Sequence, residues 1–512
     1  MAPLALLSTS DKTGLIDLAR SLVQEFGFDL ISSGGTAATL KEAGLPVTKV
    51  ADYTGFPEIL GGRVKTLHPR IHGGIMARRD LEQDRADLSS HEIRPLDLVV
   101  VNLYPFARTI AQEHVTLAEA IEQIDIGGPT LLRAAAKNFA HLTVLCNPAD
   151  YNAYLQELRD HGGKASLEFR QGRALQVFSH TAGYDRAIAS YLAGQAETTV
   201  PEQYTLSGRQ LQVLRYGENP HQPAAWYETG TNKSGWAAAT KLQGKELSYN
   251  NLVDLEAARR LISEFTDSPA AAVLKHSNPC GVASGSTLSE AYEKAFAADS
   301  VSAFGGIVAL NRAIDASTAQ MMVQTFLECV VAPDCEAEAK SILAAKSKLR
   351  VLTLPTIHEG AEQTVKVIAG GFLVQGSDEE AENPQEWQVA TEAKPTPEQM
   401  SELLFAWKVV KHVKSNAIVV TGDRATLGIG AGQMNRVGAV EIALKQAGDK
   451  AWGGILASDG FFPFDDSVRA AAAAGISAII QPGGSIRDKD SITAANELGL
   501  VMVLTGTRHF WH

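Results

Sequence analysis

The 512-residue chain is poor in cysteine: Cys146, Cys280, Cys329 and Cys335 are its four, and no two form a C-x-x-C pair. That pattern excludes a disulfide framework and points to reduced thiols and a cytoplasmic protein. Long apolar runs are missing too, and nothing approaches the ~18 consecutive apolar residues of a membrane span. Met1-Ala2-Pro3-Leu4 has neither a basic flank nor an apolar run, so no signal peptide is expected. Positive charge is scarce. With 46 Lys and Arg against 58 Asp and Glu, the net charge of −12 argues against a nucleic-acid partner. No phosphate loop of the G-x-x-x-x-G-K-[ST] type is present, so ATP is not expected. No G-x-S-x-G elbow supports Ser/His/Asp hydrolysis. What remains, 45% hydrophobic, 20% charged and 44 glycines, describes a globular α/β protein. Its length suggests about three domains.

Two strand–loop–helix units open the chain. Leu4 to Leu7 reads as a buried strand and Ser8 to Gly14 as a polar loop, after which Leu15, Leu18, Ala19, Leu22, Val23 and Phe26 recur at helical spacing. Phe28 to Ser32 reads as a second strand, followed by Ser33-Gly34-Gly35-Thr36 and a helix ending near Gly44. This repetition predicts a parallel sheet with ligand loops at the strands' carboxyl ends. Both loops set small residues and backbone N–H groups at a helix start, which suits a phosphate. A third loop, Gly61 to Gly74, crowds Arg63, Lys65, His68, Arg70 and His72 between glycines, and in an acidic protein this favours anion binding. The run Asp97 to Leu103 delivers Asn102 and Tyr104 to its end. Glu122 to Thr130 is a further glycine loop, leading into a helix with Arg133 and Lys137, and His141 to Cys146 is another strand. A helical region from Glu168 to Leu192 precedes the first boundary, placed in Ala193 to Ser207.

The second part opens on Arg215-Tyr216-Gly217-Glu218-Asn219-Pro220-His221-Gln222 and reaches an apolar run, Ala271 to Leu274, that ends in Lys275-His276-Ser277-Asn278. An imidazole titrates near neutrality and can take a proton, while a neighbouring ammonium keeps it neutral and can donate to an oxyanion or a departing nitrogen. A Lys-His pair that only decorates a turn is the other reading of these residues. Farther on, Lys411-His412-Val413-Lys414-Ser415-Asn416 and Trp452-Gly453-Gly454-Ile455 repeat the order of Lys275 to Asn278 and Phe304-Gly305-Gly306-Ile307. The recurrence implies an internal duplication, two related α/β subdomains facing each other. Ser377 to Gln399, acidic and proline-bearing, reads as a connection or surface excursion.

His276 and Pro279-Cys280 partly match the H-x-E…P-C-x-x-C pattern of zinc deaminases. Position 278 is Asn and position 283 is Ala, so neither the general-acid carboxylate nor the second thiolate is supplied. No catalytic metal is therefore expected. The residues favour acid/base transfer onto a phosphorylated substrate.

With these motifs in order, from Ser10-Asp11-Lys12-Thr13-Gly14 to Arg508 and Phe510-Trp511-His512, the whole chain resembles a bifunctional purine-biosynthesis family. That family joins AICAR (aminoimidazole carboxamide ribonucleotide) transformylase to IMP cyclohydrolase. The resemblance implies an N-terminal methylglyoxal-synthase-like parallel-sheet domain (1–195) that closes the purine ring. Two tandem cytidine-deaminase-like α/β subdomains without zinc (200–376 and 377–512) would follow and transfer the formyl group.

By the same resemblance, Ser10, Asp11, Lys12, Ser33, Gly34, Gly35, Thr36, Arg63, Val64, Thr66 and Asn102 bind the cyclohydrolase substrate. Lys65 and Tyr104 would stabilise a carbonyl oxygen, with Asp125 and Lys137 positioning the amide or moving its proton. In the transformylase His276 is implied as the base and Lys275 as the oxyanion or leaving-nitrogen partner. Arg215, Tyr216, Gly305, Glu328, Asn416, Arg436, Phe461 and Arg508 match AICAR positions, and Val437, Asp466, Ser485 and Ile486 match folate positions. Glu328 departs from the pattern, since some members carry Asp there. The family further implies 10-formyltetrahydrofolate as formyl donor, AICAR, FAICAR and IMP as ligands, and a homodimer with transformylase sites at its interface. A phosphate-sensing regulatory module without catalysis is the alternative, and it leaves Lys275-His276 without purpose.

Overall fold

The computed structural model describes residues 2–112, 114–195, 203–230 and 233–512. It divides into two units, 1–207 and 208–512. Part of the expected boundary, residues 196–202, lies outside the described residues.

In the first unit β1 (Leu4–Thr9), β2 (Asp29–Ser32), β3 (Thr48–Lys49), β4 (Leu98–Asn102) and β5 (Thr143–Leu145) form a sheet in the order β3-β2-β1-β4-β5. All its pairings are parallel. The two-residue period of a strand sends Leu4 and Leu6 into the core on one face and Ala5 and Leu7 into the core on the other. Both faces are thus buried, which is why β1 reads as an unbroken apolar run. The chain winds outward from β1 to β3 and then crosses back to β4. Crossovers therefore diverge between β1 and β4, and a crevice opens at the carboxyl ends of those strands.

The second unit begins with a hairpin of β6 (Arg209–Leu214) and β7 (Ala224–Glu228). Its main sheet contains β8 (Thr240–Gln243), β9 (Ala270–Lys275), β10 (Asn278–Ser284), β11 (Gly306–Leu310), β12 (Leu327–Ala332) and β13 (Arg350–Thr353). A separate hairpin, β14 (Gln363–Ile368) and β15 (Gly371–Gly376), precedes the rest of that sheet. The rest comprises β16 (Gln388–Val389), β17 (Ile418–Gly422), β18 (Ala425–Gly430), β19 (Ile455–Ser458), β20 (Ala478–Gln481) and β21 (Val501–Leu504). The twelve strands run β16-β21-β20-β19-β17-β18-β10-β9-β11-β12-β13-β8.

Read outward from its centre, this order repeats. Each half has a hairpin (β9–β10 or β17–β18), then three strands parallel to one another, then a short antiparallel edge strand. Each hairpin is preceded by a helix of 14 residues, Tyr249–Ile262 or Pro397–Val410, started by a capping box at Ser248 or Thr396. The halves do not face each other as separate bodies. They join edge to edge through β10 and β18, antiparallel, with Ala283 opposite Ala425 and the Ser284 N–H on the Arg424 carbonyl at 2.9 Å.

The duplication read from the sequence is therefore present, but one of its two motif matches is false. Gly305-Gly306 and Gly453-Gly454 do occupy equivalent places, each with its first glycine at positive φ, at the start of β11 and β19. Lys275-His276 ends β9, whereas Lys411-His412 follows the helix that precedes β17. The residues equivalent to the His276–Ser277 turn are Asp423–Arg424, and all four have positive φ. Lys411 and His412 are buried against Glu264, at 3.3 and 2.8 Å.

Helices press closely on the central strands. A Cβ at Gly281 would lie 1.8 Å from the Ala295 carbonyl oxygen, and one at Gly428 would lie 2.0 Å from that of Ala443. Neither partner is a flexible side-chain end, so the backbone itself would have to move. Gly281→Ala or Gly428→Ala should cost the second unit about 1–3 kcal/mol or more through overpacking. In calorimetry the transition of the second unit should fall while that of the first stays in place. An unchanged second transition would disprove the close approach.

Candidate active sites

The crevice above β1 and β4 is a cavity of about 820 Å³. Register sets Thr9 beside Asn102, so the loops after β1, β2 and β4 meet there. Ser10, Lys12, Ser33, Gly34, Gly35, Thr36, Arg63, Val64, Lys65, Thr66, Asn102, Tyr104 and Asp125 all line it. Asn102 Oδ1 accepts the backbone N–H groups of Ser10 and Asp11 (2.7 Å to the latter), and its Nδ2 returns a bond to the Asp11 carbonyl. One side chain thereby fixes the first loop to the end of β4. The Asp11 carboxylate is held low by Thr13, whose hydroxyl and N–H both donate to it, and it serves the loop rather than the cavity wall. Lys12 donates to the Thr9 carbonyl and to Thr36 Oγ1, and partial burial lowers its pKa.

Two helices, Gly34–Glu42 and Gly127–Lys137, begin at the cavity with their positive dipole ends, and the Gly128 N–H of the second is bonded to Asp125 Oδ1 at 2.8 Å. Lys65 reaches the start of the first: its Nζ would be 3.4 Å from a Cβ at Gly34. Across the cavity burial raises the pKa of Asp125, against the opposing influence of N–H bonds from Gly128 and Tyr104 and the charge of Lys65. Arg63 pairs with Glu122 at 2.6 Å on the rim. Apolar Leu60, Ile121 and Ile126 complete the wall, so the cavity offers a polar, cationic floor and an apolar side.

Two expectations for this unit need correcting. Lys137 is exposed at the far end of the helix that starts at Gly127, and eleven residues at 1.5 Å rise put it about 15 Å away. Within one chain it does not reach the cavity. The basic loop is not a single anion site either. His68 caps the helix Pro69–Met76, and Arg70 binds the Tyr53 and Glu92 carbonyls. His72 is partly buried with a lowered pKa.

In the second unit, strand pairing gathers the expected residues along one sheet edge. Lys275 ends β9 there, β11 and β12 begin there, and β19, β20 and β21 end there. Lys275 Nζ donates to the Phe304 carbonyl at 2.6 Å, beside Gly305, whose positive φ lets the chain turn into β11. His276 is exposed in the turn, and both Ser277 donors go to Asp254. Asn278 Oδ1 accepts the Lys414 N–H at 3.1 Å, joining the two motifs that resemble each other in sequence. Cys280 is inert, its thiol pushed up to about 12 by burial.

Asn416 donates to the Gln433 carbonyl at 2.8 Å. Arg436 is buried, with Nη1 on the Asp459 carboxylate, which also accepts from Ser415 Oγ and the Ala417 N–H. The Asp459 carbonyl accepts the His509 N–H at 3.2 Å. Burial alone would lower the His509 pKa, but bonds to Asp378 and Glu382 carry it up to about 9. Arg508 stacks on Phe510, and Phe461 stands half-open after β19. Glu328 is held by Arg350 at 2.8 Å. Arg215 stacks on Tyr216 in the β6–β7 loop, which Asn250 ties back through the Glu218 carbonyl at 3.4 Å. Val437 is the second residue of the helix Arg436–Ala447, Asp466 starts another, and Ser485 and fully exposed Ile486 follow β20.

Asp254 and Asp459 are functional candidates absent from the sequence reading. Asp459 carries a weak signal, a polar Ser458-Asp459-Gly460 triplet after an apolar strand, while Asp254 lies inside a helix and carries none. Among the described residues no group of three or more His, Cys, Asp or Glu is arranged to hold a metal ion, and no helix is long and apolar enough to cross a membrane.

Residues 135–446 match the family model described as AICARFT/IMPCHase bienzyme, and residues 14–130 match the one described as MGS-like domain. A protein of Nostoc punctiforme named bifunctional purine biosynthesis protein PurH is 73% identical over 514 residues, covering 100% of both chains. Its namesake in Acaryochloris marina is 67% identical over 524 residues with the same coverage. A solved structure, the crystal structure of ForH, is 37% identical and covers 37% of this chain and 97% of its own, at a TM-score of 0.34.

The raised pKa of Asp125 makes a test. A raised pKa means that the fold disfavours the ionised carboxylate, so the charge works against the fold wherever the group is ionised, and that cost is lost as pH falls through the raised value. Asp125→Asn should therefore be no less stable than the wild type at pH 7, with any advantage narrowing in acid. Melting curves across pH check this. A marked loss of stability at pH 7 would mean the carboxylate is favoured as an ion.

Proposed function

The chain belongs to the AICARFT/IMPCHase bienzyme family, and from that premise we propose how its two units divide the work. It is a bifunctional AICAR formyltransferase and IMP cyclohydrolase, acting in the last two steps of purine biosynthesis with a folate-type formyl donor. A regulatory module without catalysis is set aside, since relatives carrying the bifunctional name match the chain from end to end.

We assign ring closure to the first unit. The observation that carries the assignment is the 820 Å³ cavity, where two helix starts, Lys12, Lys65 and Arg63 suit a phosphorylated nucleotide beside Asp125. In FAICAR the carboxamide nitrogen attacks the formyl carbon of the same molecule, forming the C–N bond, and water leaves. Holding both groups in line supplies most of the rate, since intramolecular effective molarities reach ~10⁵ M or more. Lys65 and Tyr104 stabilise the formyl oxygen as charge builds on it, and Asp125 accepts or returns the amide proton. Lys137 is left out of this set.

Formyl transfer is assigned to the Lys275 edge of the second unit. The AICAR amine is conjugated with its ring and is a poor nucleophile. His276 takes its proton as it attacks the formyl carbon of 10-formyltetrahydrofolate. Lys275 then steadies the tetrahedral oxyanion or protonates the folate nitrogen that departs. Arg215, Tyr216, Gly305, Glu328, Asn416, Arg436, Phe461 and Arg508 are assigned to AICAR, and Val437, Asp466, Ser485 and Ile486 to the folate. The exposure of Ile486 and Met434 supports a homodimer that shares this site between copies, in a cytoplasmic enzyme. The three-part division at 1–195, 200–376 and 377–512 is kept as a description of the two reactions and the repeat.

His276→Ala should lose a factor of about 10² or more in formyl transfer while still closing supplied FAICAR to IMP. Lys65→Ala should show the reverse, with a loss of about 10² in ring closure. Separate assays with AICAR plus 10-formyltetrahydrofolate, and with FAICAR alone, read the two activities. Equal loss of both activities in either variant would refute the division.

A further inference from the structure

We propose that Asp254 is a positioning residue for formyl transfer, holding the His276–Ser277 turn in the backbone conformation that presents the imidazole at the sheet edge. The proposal rests on the assignment of His276 as the base. His276 and Ser277 have φ of 52° and 62°, the left-handed region, and neither is glycine or asparagine. A two-residue hairpin of this hand needs positive φ at both positions, which residues with a Cβ adopt only at a cost in free energy. Asp254 offsets that cost. Its Oδ1 accepts the Ser277 N–H at 2.8 Å and the Ser277 hydroxyl at 3.1 Å, so two donors of the strained residue converge on one oxygen.

The second half supplies an internal comparison. Asp254 is the sixth residue of the helix Tyr249–Ile262, and the sixth residue of the equivalent helix Pro397–Val410 is Glu402. Glu402 Oε2 accepts the Arg424 N–H at 2.8 Å, in the equivalent turn, where Asp423 and Arg424 have φ of 53° and 48°. β17 is one residue shorter than β9, and the carboxylate arm there is one methylene longer. A helix carboxylate that holds a left-handed turn is therefore a device of the repeat. Only in the first half does the turn carry an imidazole beside an ammonium. The Glu402 turn lies at the opposite sheet edge, because β17 runs antiparallel to β18 and away from the edge where Lys275 sits.

The test compares full-length Asp254→Ala and Glu402→Ala with the wild type and His276→Ala. Asp254→Ala is expected to lower kcat for formyl transfer by about 10- to 100-fold, the effect of a displaced reacting group, with KM for AICAR and the rate of FAICAR closure unchanged. Glu402→Ala should lose comparable melting temperature and keep its formyl transfer. Adding Ser277→Gly to Asp254→Ala should restore part of kcat, because glycine takes positive φ freely. Should the alanine variants not fold, Asp254→Asn and Glu402→Gln carry the same comparison, and a kcat loss confined to Asp254→Asn is expected. Wild-type kcat at residue 254, beside a His276→Ala enzyme that has lost formyl transfer, overturns the inference. Equal kcat loss in the residue 254 and 402 variants overturns it too, since the carboxylate would then serve only the fold. Normal formyl transfer in His276→Ala overturns the assignment of the base instead.

Discussion

The antiparallel join of β10 to β18 decides where chemistry can gather in the second unit. Hydrogen bonds from the Ser284 N–H to the Arg424 carbonyl at 2.9 Å and from the Val282 N–H to Thr426 Oγ1 at 3.0 Å make two homologous halves into one sheet. Because the join is antiparallel, the turn after β9 and the carboxyl ends of β19, β20 and β21 open on the same edge. A parallel join would have sent Lys275 and Arg508 to opposite edges. The halves contribute different ends of equivalent strands to one edge, the edge to which formyl transfer is assigned. The residue after β19 is Asp459, bound to Arg436, whereas the residue after β11 is Asn311, whose amide is closed on the Phe265 and Ser268 carbonyls.

Ionic groups, most of them buried although Asp378 is exposed, cluster where distant segments must meet. Asp378 and Glu382 meet His509, Glu264 meets Lys411 and His412, and Asp459 meets Ser415 and Arg436. Such pairs add little net stability, because each charge gives up its hydration, but removing one partner typically costs about 3–5 kcal/mol. Their effect is to specify register. They tie the C-terminal segment and the acidic connection to the strand ends to which formyl transfer is assigned. In the first unit the same economy takes another form: an acidic protein keeps Lys12, Lys65 and two helix starts around one cavity, with Asp125 a partly buried carboxylate among them.

Much of the first unit was legible in the sequence. Apolar runs bounded by Ser/Gly loops marked β1 and β2, and the glycine loops marked the cavity, because a phosphate needs backbone N–H groups that side chains would obstruct. The basic loop was misread in part. Arg70 and His68 have the same composition whether they face an anion or satisfy carbonyls and a helix start, and only the path of the chain separates these cases. Lys411-His412 misled for a related reason, since a short motif carries no record of which end of a strand it occupies. Gly305-Gly306 and Gly453-Gly454 matched correctly because a positive-φ turn into a strand imposes its own residue type.

The sequence by itself determined the α/β class, the parallel first sheet, the glycine loops that border the cavity and the Lys275-His276 pair at a strand's end. These follow from local rules: the two-residue period of strands, the 3.6-residue period of helices and the backbone freedom of glycine. Only the tertiary structure decided that the two halves share one sheet, that Lys137 lies outside the cavity, and that Asp254 and Asp459 hold the residues around them. Those outcomes depend on strand order and direction, and a periodic pattern of apolar residues is the same whichever neighbour a strand finally pairs with.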